Sequence, residues 1–246
     1  MKKSALITGA NKGIGLEIAK QLIQKGFYVY LGSRNLEKGL KAVEPLKAEG
    51  LNSFEVIQLD VTSHDSVANA RSEIGKKTKI LDVLINNAGI SGIYENPSEA
   101  TVDNFKEVYE TNVYGVVRVT QQFIDLMKES DEPRIVNVSS NMGSLTLQSD
   151  PSYAAYDYKV LAAYASSKSA MNMYTVHLAY ELRDTKFKVN AVCPGYTKTD
   201  FTNHLGTGTV EEAGKRIVKY ALIDQSGPNG KFFSEEANPL TGEIPW

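Results

Sequence analysis

Thr8-Gly9-Ala10-Asn11-Lys12-Gly13-Ile14-Gly15 follows the apolar run Ala5-Leu6-Ile7 and leads into a stretch where Ile14, Ile18 and Leu22 recur every four residues. The short apolar run reads as a buried strand and the recurrence as a helix, so the glycine-rich octet is a turn from a first strand into a first helix. Glycine has no Cβ and tolerates positive φ, so such a turn brings backbone N–H groups and a helix N-terminus close to a phosphate. Glycines also serve plain packing in many strand-to-helix turns, so the octet poses a nucleotide site without deciding it.

Outward from this turn, short apolar runs alternate with amphipathic ones to the end of the chain, the pattern of βαβ units and a parallel sheet. Strands are expected at 3–8, 27–32, 53–59, 81–85, 133–138, 187–192 and 231–234. Helices are expected at 13–25, 35–48, 63–77, 98–129 with a break near Thr111, 164–184 and 209–220. Gly26 reads as the glycine that ends the first helix, and Asn35 and Ser63 as N-caps. Runs such as Val83-Leu84-Ile85 and Ile135-Val136 are apolar without alternation, as strands covered on both faces require. The fold class expected is α/β, a single domain over 1–246 with a doubly wound parallel sheet and helices on both faces. Right-handed crossovers then gather the loops after strands 1, 2, 4, 5 and 6 at one edge.

With 246 residues, 42% of them hydrophobic, the chain can bury one substantial core. A net charge of -2, without a Lys/Arg cluster interleaved with aromatics, argues against a nucleic-acid partner. Cys193 is the single cysteine, so no intramolecular disulfide forms, and a cytoplasmic location is expected. The basic start Met1-Lys2-Lys3 is followed by an apolar run that stops at Gly9, short of the ~7 to 15 residues of a signal peptide core. No stretch reaches the ~18 to 20 apolar residues of a membrane span, so no membrane partner is expected. His64, His177 and His204 lie far apart without ligand spacing, and no metal is expected.

Several residue patterns fall at the strand ends. Tyr164 and Lys168 stand four apart at a helix start, on one face, where an ammonium would favour the phenolate and make the phenol a better acid and base. Taken alone, Tyr-x-x-x-Lys is common by chance. Ser139-Ser140 closes the fifth strand, where a hydroxyl can bond a substrate carbonyl or simply make a turn. No Gly-x-Ser-x-Gly elbow surrounds either serine, which argues against a hydrolase nucleophile. Asn86-Asn87-Ala88-Gly89 follows the fourth strand as a small, amide-rich loop suited to a turn or to a flat ring. Asn112 interrupts a helical pattern, where asparagine competes for backbone bonds and predicts a kink. Pro194-Gly195 ends the sixth strand, and the hydroxyls of Thr197 and Thr199 follow, within reach of a carboxamide or phosphate.

In this order and spacing, the motifs resemble those of the short-chain dehydrogenase/reductase family, and within it the carbonyl reductases, over essentially the whole chain. Thr8 to Gly15 matches its Thr-Gly-x-x-x-Gly-x-Gly, Asn86 to Gly89 its Asn-Asn-Ala-Gly, Tyr164 to Lys168 its Tyr-x-x-x-Lys, and Pro194-Gly195 its Pro-Gly. Gly143, three residues on, selects Ser140 over Ser139. The resemblance implies a Rossmann sheet and a hydride transfer from nicotinamide to a carbonyl carbon, with Tyr164 donating the proton and Ser140 holding the oxygen. It further implies that Lys168 lowers the tyrosine pKa and binds the nicotinamide ribose, and that Asn112 orders a water linking Lys168 to solvent. Cofactor contacts are implied for Gly9, Asn11, Lys12, Gly13, Ile14 and Gly15, for Asn87, Ala88 and Gly89, and for Tyr164, Lys168, Pro194, Gly195, Thr197 and Thr199. Cofactor contacts are also implied for Asp60 and Val61, with Asp60 accepting from the adenine amino group, or else only making a capping turn.

The cofactor's identity is read after the second strand. An NAD enzyme needs a carboxylate there for the ribose 2′-OH, but Leu31-Gly32-Ser33-Arg34-Asn35 holds none. Arg34 and Lys12 are instead placed to meet a 2′-phosphate, which points to NADPH (NADP+), although both also suit a solvated surface. The expected function is NADPH-dependent reduction of ketones or aldehydes, reversible with alcohol and NADP+. The alternatives are a ketoreductase for carrier-bound or steroid substrates and a dinucleotide-binding redox sensor without turnover. Tyr164 follows Ser140 by 24 positions, roughly twice the interval usual in the resembled family, so 144–163 is an inserted segment. A small, mobile substrate lid is expected at 200–214. The pocket walls, 91–96, 145–160 and 200–210, hold no charge anchor for a carboxylate, so a small neutral carbonyl compound is expected. Tyr153, Tyr156, Tyr158 and Leu161 have the spacing of a helical turn that would cover apolar surface otherwise shared with a partner, which favours a monomer over a dimer or tetramer.

Overall fold

Ala5, Leu6 and Ile7 are fully buried because their strand lies inside a sheet covered on both faces. The computed structural model describes residues 2–246; Met1, which begins the basic start, lies outside them. The strands are β1 (Ser4–Ile7), β2 (Tyr28–Ser33), β3 (Phe54–Gln58), β4 (Val83–Asn86), β5 (Arg134–Val138), β6 (Lys188–Val192) and β7 (Phe232–Phe233). They form one parallel sheet in the order β3-β2-β1-β4-β5-β6-β7, so all seven expected strands are present. Ala5 pairs with Val29 on one side and Val83 on the other, so the chain reverses its direction of travel between β1 and β4. Loops leaving the carboxyl ends of these two strands separate there and open a crevice.

The helices are α1 (Gly13–Gln24), α2 (Leu36–Ala42), α3 (Glu44–Ala48), α4 (His64–Lys77), α5 (Val102–Tyr109), α6 (Gly115–Lys128), α7 (Leu145–Ser149), α8 (Ala162–Glu181) and α9 (Val210–Ala221). Alternation along each strand divides the core: Ala5, Ile7, Val83 and Ile85 meet α1 and α9 on one face. Leu6 and Leu84 meet α4, α6 and α8 on the other. The apolar runs therefore serve two layers, one from each side of the pleat.

Asn35 and Ser63 accept from Lys38 N and Ser66 N as N-caps, and Gly26 closes α1 at φ +89°. The helix expected at 35–48 is two helices, because Pro45 starts the second and cannot continue the first. The helix expected from 98 begins at Val102, where Thr101 caps it by accepting from Asn104 N. The break near Thr111 is a π-helical turn, Glu110–Tyr114, that joins α5 to α6 without stopping the helix. Gly115 follows it, and a Cβ there would stand 2.8 Å from Val61 Cγ2.

Two further expectations are corrected. In the inserted segment the helical turn is α7, capped by Ser144, whereas 151–157, with Tyr153 and Tyr156, forms turns. The segment is pinned elsewhere: Ser144 Oγ donates to Pro245 O (2.7 Å) and Thr146 N to Trp246 O (3.2 Å). The lid is shorter than 200–214, because Thr209 caps α9 and 210–214 are its first turns. What remains is closed on itself by His204 N to Thr199 O (2.9 Å) and Thr207 N to Tyr196 O (2.8 Å). A Cβ on Gly206 would stand 2.1 Å from the Thr197 carbonyl carbon, so this glycine is a packing contact, and the loop is braced where a mobile one was expected.

Candidate active site

Gly9 (φ +64°) and Gly13 (φ +53°) lie in the left-handed region, where a side chain is strained. Gly15 is demanded by contact, since its Cβ would stand 2.5 Å from both Asn87 Nδ2 and Gly9 O. The turn is held from below: Thr8 Oγ1 accepts from Asn87 N and Ala88 N, each at 3.0 Å. Asn87 Nδ2 donates to Thr8 O (2.9 Å) and Gly9 O (3.2 Å), so this side chain is a strut of the turn. Asn11 and Ile14 stay half-buried on its outer side. The α1 N-cap, Lys12, gives no side-chain cap and no acid follows in the first turn, whereas α2, α4 and α9 are capped by Asn35, Ser63 and Thr209. The N–H groups and positive dipole end of α1 are thus left to an anion.

Arg34 and Lys12 differ in their engagement. Arg34 is exposed after β2 and makes no hydrogen bond or ion pair among the described residues. Lys12 Nζ pairs with Asp200 Oδ2 at 2.8 Å, and His204 Nε2 stands 3.2 Å from Asp200 Oδ1. Asp60 Oδ1 accepts from Thr62 N (3.0 Å) and Thr62 Oγ1 (2.7 Å), which makes the turn and leaves Oδ2 for a donor such as an adenine amine. Val61 is buried, and its carbonyl accepts from Arg118, which also pairs with Glu110 at 2.8 Å.

At the carboxyl end of β5 the two serines part. Ser139 is buried and donates to Asn172 Oδ1 (2.7 Å), which ties it to α8. Ser140 is half-buried, accepts from Met142 N (3.2 Å) and donates to Asn141 Oδ1 (3.5 Å). Gly143 lets this turn rest on α8, because a Cβ there would stand 2.8 Å from Lys168 Cβ and 2.9 Å from its carbonyl carbon. Ser169 Oγ donates to Gly143 O at 2.9 Å and fastens the contact.

Tyr164 and Lys168 share one face of α8, with Nζ 5.6 Å from the tyrosine ring centroid. Burial pushes the phenol well above its ordinary value, and Ser140 is the group that offsets part of the rise. Lys168 donates to Val138 O at 2.7 Å, and burial brings its ammonium down to about 8. The expected lowering of the phenol by the ammonium is therefore outweighed by desolvation. Asn112, fully buried in the π turn, brackets Ile90: Oδ1 accepts from its N (2.9 Å) and Nδ2 donates to its O (2.9 Å) and to Ser167 Oγ (3.0 Å). Both amide hydrogens are thereby committed, and the side chain sets the loop after β4. A Cβ on Gly89 would stand 3.2 Å from Asn112 Oδ1 and 3.7 Å from Lys168 Nζ, so these three groups converge.

Gly195 (φ +89°) turns the chain after β6, and Pro194 O accepts from Arg216 Nη1 at 2.7 Å. Thr197 is buried and donates to Gly195 O (3.1 Å), so its hydroxyl serves its own loop. Thr199 reaches the glycine-rich turn, its methyl 3.5 Å from where a Gly13 Cβ would lie. Arg216, Glu236 and Asn104 support these loops and were not singled out from the sequence. Asn86, Asn137 and Thr175 form a buried relay between β4, β5 and α8, with Asn86 Nδ2 to Asn137 Oδ1 at 2.9 Å and Asn137 Nδ2 to Thr175 Oγ1 at 2.8 Å. Asparagine inside the apolar run Ile135-Val136-Asn137-Val138 was the available signal, since a buried amide needs partners.

Comparison with known proteins agrees with this geometry. The profile of the family described as short chain dehydrogenase matches residues 3–209. Short-chain dehydrogenase/reductase 1 of Saponaria officinalis is 36% identical, over 97% of this chain and 96% of that protein. The structure of salutaridine reductase from Papaver somniferum superposes with a TM-score of 0.83 at 32% identity, covering 95% of this chain and 100% of that one. An NADPH-bound carbonyl reductase from chicken fatty liver superposes with a TM-score of 0.85 at 25% identity, covering 100% and 99%.

Proposed function

Because the chain belongs to the short-chain dehydrogenase family, close to its NADPH-dependent carbonyl reductases, we propose that it reduces ketone and aldehyde carbonyls to alcohols with NADPH, and oxidises secondary alcohols when NADP+ prevails. The observation that carries this reading is the meeting of Tyr164 and the Lys168 ammonium beside Gly89, with the Ser140 turn packed on Lys168 through Gly143, at the carboxyl edge of the sheet. The residues present fit the cofactor. The uncapped α1 N-terminus with Gly9, Gly13 and Gly15 would hold the pyrophosphate, the unpaired Arg34 would meet the 2′-phosphate, and Asp60 Oδ2 would accept from the adenine amine. NADPH supplies the hydride when bound.

The chain's own residues do the rest. Ser140 donates to the carbonyl oxygen and draws it toward Tyr164, whose phenol carries its proton near neutrality and gives it up as negative charge develops there. Lys168 would hold the nicotinamide ribose, and it keeps a positive charge near the phenol. Asn112 fixes the Ile90 backbone, and with it the loop that bears Gly89.

NADPH oxidation followed at a ketone and aldehyde panel tests the reading. Tyr164→Phe is expected to lower turnover at least ~100-fold, the scale of a lost general acid, while NADPH still binds. Activity within a few-fold of the parent would reject the role of Tyr164, and failure of the parent with every carbonyl would leave the non-catalytic dinucleotide sensor.

A further inference from the structure

Exposed aromatic side chains sit on three separate segments at the carboxyl edge of the sheet near Tyr164. Tyr94 comes from the loop after β4, Tyr158 from the inserted segment, and Tyr196 and Phe201 from the loop after β6. The Phe201 ring centroid lies 5.5 Å from that of Tyr164, tilted by 56°. A bridge between Glu95 and Leu161 sets the Tyr94 loop beside the segment that carries Tyr158, and burial, reinforced by Tyr94 and Tyr196, pushes the Tyr158 phenol up. These four rings keep 39 to 48% of their surface exposed.

The backbone beneath them is braced. Glu95 N donates to Val160 O (2.9 Å), which joins the Tyr94 loop to the inserted segment. Asn104, on α5, accepts from Ile93 N (3.1 Å) and donates to Glu95 Oε1 (2.6 Å). Tyr196 N donates to Glu236 Oε1 (3.1 Å). Glu95 and Glu236, the acids bonded to these two loops, are thus spent on loop structure, and the rings themselves offer no charge.

Exposed rings gathered beside a reacting group mark a binding surface. Aromatic faces and edges pack best against another flat ring, which brings no rotors to freeze, whereas an alkyl chain must be ordered to lie along them. We propose that Tyr94, Tyr158, Tyr196 and Phe201 form a specificity rim that selects neutral ketones bearing a flat ring over open-chain ketones of the same carbon count. This rests on the reductase reading above and narrows it to a substrate class. The inserted segment contributes Tyr158, so the insertion is part of the recognition surface.

The test is kcat/KM with NADPH for acetophenone and for octan-2-one, which have equal carbon counts. Both are measured on the parent and on Tyr158→Ala and Tyr94→Ala, whose side chains are half-exposed. Acetophenone is expected to lead by at least about fivefold, and each variant to narrow that lead through KM more than through kcat. A lead below about fivefold in the parent, or one that neither variant moves, overturns the rim while the reductase reading stands. Absence of NADPH oxidation with both ketones overturns the reductase reading and the rim with it.

Discussion

Lys168 is the residue whose environment gives the most direct pH signature. Burial holds it at about 8 while the Tyr164 phenol is pushed up, so near neutrality the lysine is charged and the phenol carries its proton. Reductive kcat/KM is therefore expected to hold below about 8 and to decline as pH rises through that value. Lys168→Arg, which keeps its charge, should lose this descending limb; a limb that persists there assigns it to another group. The same shift bears on stability. The unfolded lysine titrates at the model-peptide value of 10.5, so between about 8 and 10.5 the unfolded state holds more protons and stability rises with pH across that window. At the other end of the site, Arg34 has no protein partner and its charge is available to a phosphate. Arg34→Asp is expected to weaken NADPH binding by about 10- to 100-fold while NADH binding holds or improves. Titration of both cofactors by fluorescence checks this, and affinities that move together would dissociate Arg34 from the 2′-phosphate.

Among the elements, the short turn after β5 and the start of α8 act as one unit. Ser140 opens the turn, Gly143 closes it against Lys168, and Tyr164 sits one helical turn earlier on the same helix. Gly143→Ala places a methyl 2.8 Å from Lys168 Cβ and 2.9 Å from its carbonyl carbon, where backbone must yield. A cost of about 1–3 kcal/mol is expected, seen as a lower Tm, together with a fall in kcat as Ser140 moves away from Tyr164. Unchanged Tm and kcat would show that the contact is not what positions the serine. The π turn that carries Asn112 works in the same way, since it lets a buried amide face the Ile90 backbone from within an otherwise continuous helix.

For the whole molecule, the covered edge of the sheet bears on assembly. Ile244 N donates to Phe232 O (2.9 Å), and Trp246 stacks on Phe232 at 5.4 Å, so the chain's own end shields β7 from pairing with another copy. We propose a monomer on this ground. The inserted segment does not carry the argument, because it packs on the C-terminal residues and the Tyr94 loop, while Tyr114, Met173 and Tyr180 stay exposed on the helices. Light scattering during gel filtration should give 27.0 kDa. A stable species near four times that mass would instead put a partner on the helix surface that bears those three side chains.

The seven strands, their parallel direction and the edge where the site forms were legible in the sequence, because short apolar runs alternate with amphipathic helices and the glycine turn marks where the first strand ends. The preference for Ser140 over Ser139 was legible too, through Gly143, and the geometry supplies its reason in the contact with Lys168. Helix ends were less so: the split at Pro45 and the start at Val102 depend on which residue captures the first free N–H groups. Tertiary structure alone decided three things. Desolvation, which depends on every neighbour at once, set the direction of the Tyr164 pKa against the pull expected from a lysine four residues away. Long-range pairing gave Lys12 to Asp200 and left Arg34 unpaired, although the two cations looked equivalent along the chain. Packing took the inserted segment to the C-terminal residues and the pocket rim, because its hydrogen-bond partners lie far away in sequence and no local spacing could announce them.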